Sequence, residues 1–373
     1  MNHRPDLSLS AWDRDREREF QIISSLFGLR ESFPARIIGE QGQEFKLQTA
    51  FEEGIGILTG ALRFGANSIL DLPIAGDWVL ATKMDSEQFL IHSVLPRRSL
   101  LVRKSKGNLQ RPDPIYANMD YIFLLHGLDG DFQPRRLERT LVQLWESGAL
   151  PVIVLTKKDL YSDNQNELFD RIAQVKESCV GVEVHSISIF ESIGLEELAD
   201  YWSKESTSAF IGSSGVGKSS LLNLLLGKEF REVQNVRESD SKGKHTTSNR
   251  WMFRLSSGAW ILDNPGMREI QLWSDGSGLA ETFPEILEAA KGCKFPDCFH
   301  HSEPNCGVKT ALEQGRISED RFKSYLKLQR ELSRNAQLAS PTSGEARAQK
   351  AKWKSIHKEQ KRLQHQREKE RYQ

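Results

Sequence analysis

The sequence predicts a multidomain protein: a small N-terminal β-barrel of OB-fold type, a central α/β domain built around a P-loop, and a C-terminal helical segment with a Cys and His cluster. Three observations predict it. Five short β-like runs crowd into residues 35–95, buried strands alternate with amphipathic helices from Tyr121 onward, and beyond about Gly278 the pattern turns helical around Cys293, Cys298, His300 and Cys306. At 373 residues the chain is longer than one core usually supports, since single cores stop growing near about 250–300 residues. Two or three domains are expected.

Residues 1–34 read as a charged leader, with one amphipathic helix through Phe20, Ile22, Ile23, Leu26 and Phe27 or a frayed terminus as the two options. Residues 35–104 read as the barrel. Its strands are Arg36-Ile37-Ile38, Glu44 to Gln48, Ile55 to Leu58, Asp77 to Leu80 and Phe89 to Val94, each bounded by turn residues. Five short strands in so little chain suit an OB-fold, a barrel that often binds nucleic acid. A purely structural barrel is the plainer alternative.

After the basic stretch Arg97 to Lys104, residues 105–277 read as one α/β domain. Tyr121 to Leu125 is a continuous apolar run; Leu137, Leu141, Leu144 and Trp145 then share a helix face that Gly148 closes. Val152 to Leu155, a helix with Leu168, Ile172 and Val175, and Val182 to Val184 continue the rhythm. Ala209 to Ile211, a helix from near Lys218, and Trp260 to Leu262 extend it. Such βαβ repetition implies a parallel sheet with helices on its faces.

The chemistry sits at the ends of those strands. Gly212-Ser213-Ser214-Gly215-Val216-Gly217-Lys218-Ser219 fits GxxxxGK[ST]: glycines turn backbone N–H groups toward a β-phosphate, Lys218 supplies a point charge, and the Ser219 hydroxyl suits Mg²⁺. The loop follows an apolar strand and enters the helical run from Ser220 to Leu226, so a helix N-terminus faces the phosphates. About 45 residues after Lys218, Asp263-Asn264-Pro265-Gly266 follows a strand. Asp263 is thereby placed to reach the Mg²⁺ shell and the Gly266 amide to sense a γ-phosphate. Between them, Thr246 or Thr247 can present a hydroxyl to Mg²⁺.

Base reading is expected upstream of the phosphate loop. In Thr156-Lys157-Lys158-Asp159 the Asp159 carboxylate can accept from guanine N1–H and N2–H, a donor pair adenine lacks, and Ser186-Ile187-Ser188 follows the next strand. The nucleotide is therefore GTP, and an ATP-dependent metabolic enzyme is disfavoured. The usual order of these motifs is rotated, which marks a circular permutation. Met267 stands where a water-orienting Gln is found in Ras-like enzymes and cannot replace its hydrogen bonds, so slow intrinsic hydrolysis is expected.

Residues 278–335 contain Cys293-x4-Cys298-x-His300-x5-Cys306, four ligands suited to one closed, structural tetrahedral Zn²⁺. His301 is an alternative to His300, and a disulfide with a spare thiol is the competing reading. Residues 336–373 read as a basic tail: ten basic residues against three acids lie between Arg347 and Arg371, with Trp353 among them. Overall charge is balanced, 51 basic against 51 acidic residues, so an RNA partner must be read from local patches. With clustered cysteines, an acidic N-terminus without an apolar run, and no stretch near the roughly 18 apolar residues of a membrane span, a cytoplasmic protein with no membrane association is expected. A monomer is the simplest assembly.

Residues 35–330 resemble the circularly permuted, small-ribosomal-subunit-dependent GTPases of the RsgA (YjeQ) family. The resemblance rests on Gly76-Asp77-Trp78-Val79, Asp131-Phe132, the motif order, Gly243-Lys244-His245-Thr246-Thr247 and the cysteine cluster. It implies an OB-fold, a circularly permuted GTPase domain and a zinc-binding domain acting in late maturation of the small ribosomal subunit and contacting its rRNA. It also implies that His245 orients the attacking water, against the plainer reading of an exposed His. Thr156, where many GTPases have Asn, and Asn264, where Thr or Ser is more usual, depart from the pattern. An RNA-binding protein whose nucleotide site is only regulatory or structural is the alternative function.

Overall fold

The computed structural model describes residues 12–29, 31–104, 112–130, 132–202, 206–227, 250–263, 277–301 and 303–338. Strands β1 (Ser32–Gln41), β2 (Glu44–Gln48), β3 (Glu53–Leu58), β4 (Trp78–Lys83) and β5 (Gln88–Val94), with the short helix α2 (Gly60–Gly65) between β3 and β4, form the N-terminal unit. Their order is β1-β2-β3-β5-β4, and β1 pairs again with β4, which closes an OB-like barrel. Alternate residues point inward, so Ala35, Ile37, Phe45, Leu47, Val79, Ala81, Phe89 and Ile91 make one core.

The helix expected in the leader is present as α1 (Arg14–Phe27), capped by Asp13 and ended by Gly28 at φ 64°. Its anchoring differs from the amphipathic expectation. Ile22 and Leu26 are exposed, whereas Arg16 is buried. The Arg16 guanidinium donates to the Pro96 carbonyl at 2.6 Å and to Asn118 Oδ1 at 2.6 Å, so polar fixation holds the helix where an apolar stripe was expected.

The α/β unit carries β8 (Tyr121–Gly127), β9 (Leu150–Thr156), β10 (Glu183–Ser186), β11 (Thr207–Gly212), β12 (Trp251–Arg254) and β13 (Trp260–Asp263), preceded by a two-stranded ribbon of β6 (Leu100–Lys104) and β7 (Pro112–Ala117). The sheet order is β10-β9-β8-β11-β13-β12, and a single pairing, Gly39 with Trp251, continues it into the barrel. All pairs from β10 to β13 are parallel, and β12 is antiparallel. One face packs under α3 (Pro134–Glu146) and α4 (Gln165–Ser178), the other under α5 (Lys218–Leu226) and the short helix Glu196–Trp202. Both faces are covered, which explains why these strands read as unbroken apolar runs.

Buried polar contacts clasp barrel to sheet. Arg36, fully buried in β1, donates to Thr207 Oγ1 at 2.7 Å and lies over the Trp78 ring. Asn118, beyond β7, accepts from Arg16 and donates to the Gly76 carbonyl at 3.1 Å. The basic stretch after the barrel is largely spent in such contacts. Arg97 makes a buried two-pronged ion pair with Asp77, and Arg98 and Arg103 pair with Asp13 and Asp113.

The C-terminal unit is helical: α6 (Leu279–Thr282), α7 (Pro284–Ala290), α8 (Gly307–Glu313) and α9 (Glu319–Leu338). It docks on the face of α3 turned away from the sheet. Val142 joins its core beside Phe283, Ile286 and Tyr325, and a Cβ on Gly278 would fall 1.9 Å from the Val142 carbonyl oxygen, so only glycine permits that approach. Arg321 is the central polar contact. It donates to Glu138 at 2.8 Å, to Glu285 at 2.7 Å, and to the carbonyls of Thr282 and Ser178, and it lies 4.3 Å above the Phe283 ring. Among the described residues, no helix is long and apolar enough to cross a membrane.

Removing one partner of a buried ion pair strands the other charge. Arg321→Ala is therefore expected to lower stability by about 3–5 kcal/mol in urea unfolding. Arg135→Ala breaks the exposed pair with Asp320 and is expected to cost less than about 1 kcal/mol.

Candidate functional site

Strand β11 runs straight into the glycine-rich loop, and α5 begins at Lys218. Gly212 has φ 155°, and a Cβ there would meet the Leu125 carbonyl oxygen of β8 at 2.4 Å. The loop can therefore leave the sheet only with glycine at its first position. Gly215 and Gly217 also have positive φ, 77° and 104°. Val216 is buried in the core, whereas Ser214, Gly215, Ser219 and Ser220 are exposed and Ser213 is half-buried. The Lys218 ammonium folds back over the loop and donates to the carbonyls of Gly212 at 2.7 Å and Ser213 at 2.6 Å. A cation and a helix N-terminus thus belong to one loop, the arrangement that favours phosphate oxygens.

The upstream motif lies against this loop. Strand β9 ends at Thr156, whose side chain is fully buried and donates to the Val216 carbonyl at 2.8 Å. Thr156 therefore ties the end of β9 to the glycine-rich loop and does not open onto solvent. Lys157 takes φ 65° and forms an ion pair with Asp129, on the loop after β8. The Lys158 N–H donates to the Ile187 carbonyl at 3.0 Å, fastening the loops after β9 and β10 together. Asp159 accepts from the Ser188 hydroxyl at 2.6 Å, which fixes the carboxylate. Ser186 is the last residue of β10, pairs with Leu155 and is half-buried.

Gly212 to Ser220, Thr156 to Asp159 and Ser186 therefore converge at the C-terminal edge of one sheet, the usual ligand edge of parallel α/β sheets. Asp263 ends β13 on the other side of β11, opposite Trp251 of β12; its side chain lies outside the described set. His245, Thr246, Thr247, Gly266, Asn264 and Met267 lie outside the described residues, as do Asp131 and most of the basic tail. Two site residues escaped the sequence reasoning. Ser188 stood in a quoted motif without a role, and Asp129 gave no motif signal; its only clue is that it follows a strand parallel to β9.

Cys293, Cys298, His300 and Cys306 bring their ligand atoms within 4.8 Å of one another. His300 Nδ1 lies 3.6 Å from Cys293 Sγ and 3.4 Å from Cys306 Sγ, and the two sulfurs are 3.8 Å apart. Tetrahedral zinc with bonds of about 2.3 Å to sulfur and about 2.0–2.1 Å to nitrogen requires edges of about 3.8 and 3.5 Å. The donor set fits that ion, and all four cysteines of the chain are free thiols. His301 is turned away toward Arg330, so His300 is the histidine of the cluster. Burial lowers the His300 pKa and favours its neutral, metal-ready form. Burial works against a Cys293 thiolate, yet the N–H groups of Val308 and Gly307 hold its pKa below the ordinary value.

Comparison with known proteins is consistent across this architecture. The family model described as RsgA GTPase matches residues 94–273. The small ribosomal subunit biogenesis GTPase RsgA 2 of Lactiplantibacillus plantarum is 43% identical over 300 residues, 80% of this chain and 83% of its own. The corresponding protein of Opitutus terrae is 38% identical over 366 residues, 95% and 96% of the two chains. Among solved structures, YjeQ from Thermotoga maritima superposes with a TM-score of 0.60 at 24% identity, over 83% of this chain and 100% of that one. YloQ, described as a circularly permuted GTPase, gives 0.59 at 25%, over 84% and 98%.

Metal analysis of the purified protein is expected to find one zinc per chain. Cys298→Ser should release it; a folded wild-type protein free of metal would refute the assignment.

Proposed function

Because the chain belongs to the RsgA GTPase family, we propose that it hydrolyses GTP to GDP and phosphate as a late-stage maturation factor of the small ribosomal subunit, with slow intrinsic turnover that the subunit stimulates. The observation that carries this reading is the convergence of a fixed carboxylate, Asp159, with the Lys218 loop at one sheet edge, joined by the bond from Thr156 to Val216.

Each residue then has a physical task. Asp159 accepts from guanine N1–H and N2–H, while Ser188 and the Lys158 backbone hold its loop in place. Ser186 borders the same base pocket. Lys218 and the amides from Ser213 to Ser220 neutralise the β- and γ-phosphates, where charge grows in the transition state. The Ser219 hydroxyl, Asp263 and Thr246 or Thr247 form the hard-oxygen donor set that suits Mg²⁺. When bound, that ion neutralises phosphate charge. Gly266 senses the γ-phosphate, and His245 orients the attacking water in place of the Gln that Met267 replaces.

The Cys₃His cluster holds a structural zinc that keeps the short loops of the C-terminal unit in place. rRNA is proposed to meet three surfaces: the barrel, the zinc unit and the basic tail around Trp353. The protein is proposed to act as a cytoplasmic monomer. A purely structural nucleotide site has less support, because it leaves Lys218 and Ser219 without a reason to sit on one loop at the same sheet edge as Asp159.

The deciding experiment is GTP turnover with purified small subunits, with large subunits and with neither. Stimulation by small subunits alone is expected, and stimulation by large subunits alone would overturn the proposal. His245→Ala is expected to abolish the stimulated turnover while leaving GTP binding intact. Unchanged stimulation in that variant would remove His245 from the mechanism.

A further inference from the structure

Guanine offers two donors on its Watson–Crick edge, N1–H and N2–H, and acceptors that include O6 and N7. The donors are matched by the Asp159 carboxylate, which Ser188 holds in place. An acceptor at N7 needs a donor from the protein. An Asn at position 156 would carry two amide hydrogens, one for a carbonyl of the phosphate loop and one for N7. Thr156 carries a single hydroxyl proton, and the structure shows where it goes.

That proton is donated to the Val216 carbonyl at 2.8 Å, and Thr156 is 0% exposed. A hydroxyl with its proton committed can only accept, and N7 is itself an acceptor, so the two cannot pair. The Ser188 hydroxyl at the same edge has its proton committed to Asp159 at 2.6 Å. Lys157 is drawn toward Asp129 on the neighbouring loop. The buried bond of Thr156 also has a structural task, because releasing it would leave the Val216 carbonyl unsatisfied inside the core.

We infer that this protein selects guanine through the Watson–Crick edge alone and does not read N7, so that Thr156 serves the phosphate loop and leaves the Hoogsteen edge of the base unrecognised. This rests on the proposed guanine-nucleotide site and specifies how that site discriminates. Nucleotides altered at N7 are accepted as well as GDP itself, whereas nucleotides lacking the N2 amino group are not.

The test is competition of GDP, 7-deaza-GDP and IDP against a fluorescent GDP derivative on the full chain. The first two are expected to bind within about twofold of each other, since no hydrogen bond is lost between them. IDP is expected to bind about tenfold or more weakly, since it leaves one donor of the pair missing at a fixed carboxylate. If 7-deaza-GDP instead falls about tenfold while IDP is also rejected, N7 is read and the inference fails with the guanine site intact. If IDP binds as well as GDP, the assignment of Asp159 fails, and the inference with it. Thr156→Val provides a second measurement: GDP and 7-deaza-GDP should weaken together, by about five- to tenfold, through the loosened loop. A selective loss of GDP over 7-deaza-GDP in that variant would place Thr156 on N7 and overturn the inference. Should the variant not fold, the three-nucleotide comparison on the wild-type protein decides alone.

Discussion

The rest of this structure depends on the parallel pairing of β11 with β8 on one side and β13 on the other. Parallel strands end on the same edge, so their outgoing loops become neighbours whatever their order along the chain. That edge gathers Gly212, the loops after Gly127, Thr156 and Ser186, and the end of β13. Chain order is permuted, yet spatial order places the glycine-rich loop after β11 between the loops after β9 and β10 on one side and the strand that ends in Asp263 on the other. The buried bond from Thr156 to the Val216 carbonyl makes two of those loops one mechanical unit.

The three units are held to one another by buried polar contacts as well as by apolar packing. Arg16, Arg36 and Asn118 join the barrel to the sheet, and Arg321 joins the C-terminal helices to α3 and α4. Such contacts are directional, and a rotated domain leaves charges unpaired. Helix α3 is shared: Leu137, Leu141 and Leu144 face the sheet, while Glu138, Val142 and Glu146 meet the C-terminal unit. In sequence, residues 264–276 are all that separates the end of β13 from that same unit. Under the proposed function, this is a short route from nucleotide state to a ribosome-facing surface.

Much of this was legible in the sequence where a physical signal was local and redundant. Apolar runs with turn residues gave the five barrel strands, and GxxxxGK[ST] after a strand gave the loop and the start of α5 at Lys218. Cysteine spacing gave the metal cluster, and geometry chose His300 over His301. What was missed depends on partners distant in sequence. Strands β7 and β12 are short, and a ribbon and an edge pairing explain them better than any period. Arg16 looked like an ordinary residue of a charged leader, yet it is buried because Asn118, about a hundred positions away, accepts its hydrogen bond. Thr156 read as a departure from the Asn that many GTPases have there, and only the position of Val216 reveals its task. Asp129 and Ser188 carry no motif of their own and acquire roles by lying beside Lys157 and Asp159.

The central claim is that segments scattered along the chain form a single guanine-nucleotide site at one sheet edge. Hydrogen–deuterium exchange with and without GDP tests it most directly. Binding is predicted to slow exchange together in residues 157–159, 187–188 and 213–219, with the barrel strands unchanged. Slowing confined to residues 213–219 would mean that a phosphate group is held there without the base being read, and would contradict the account.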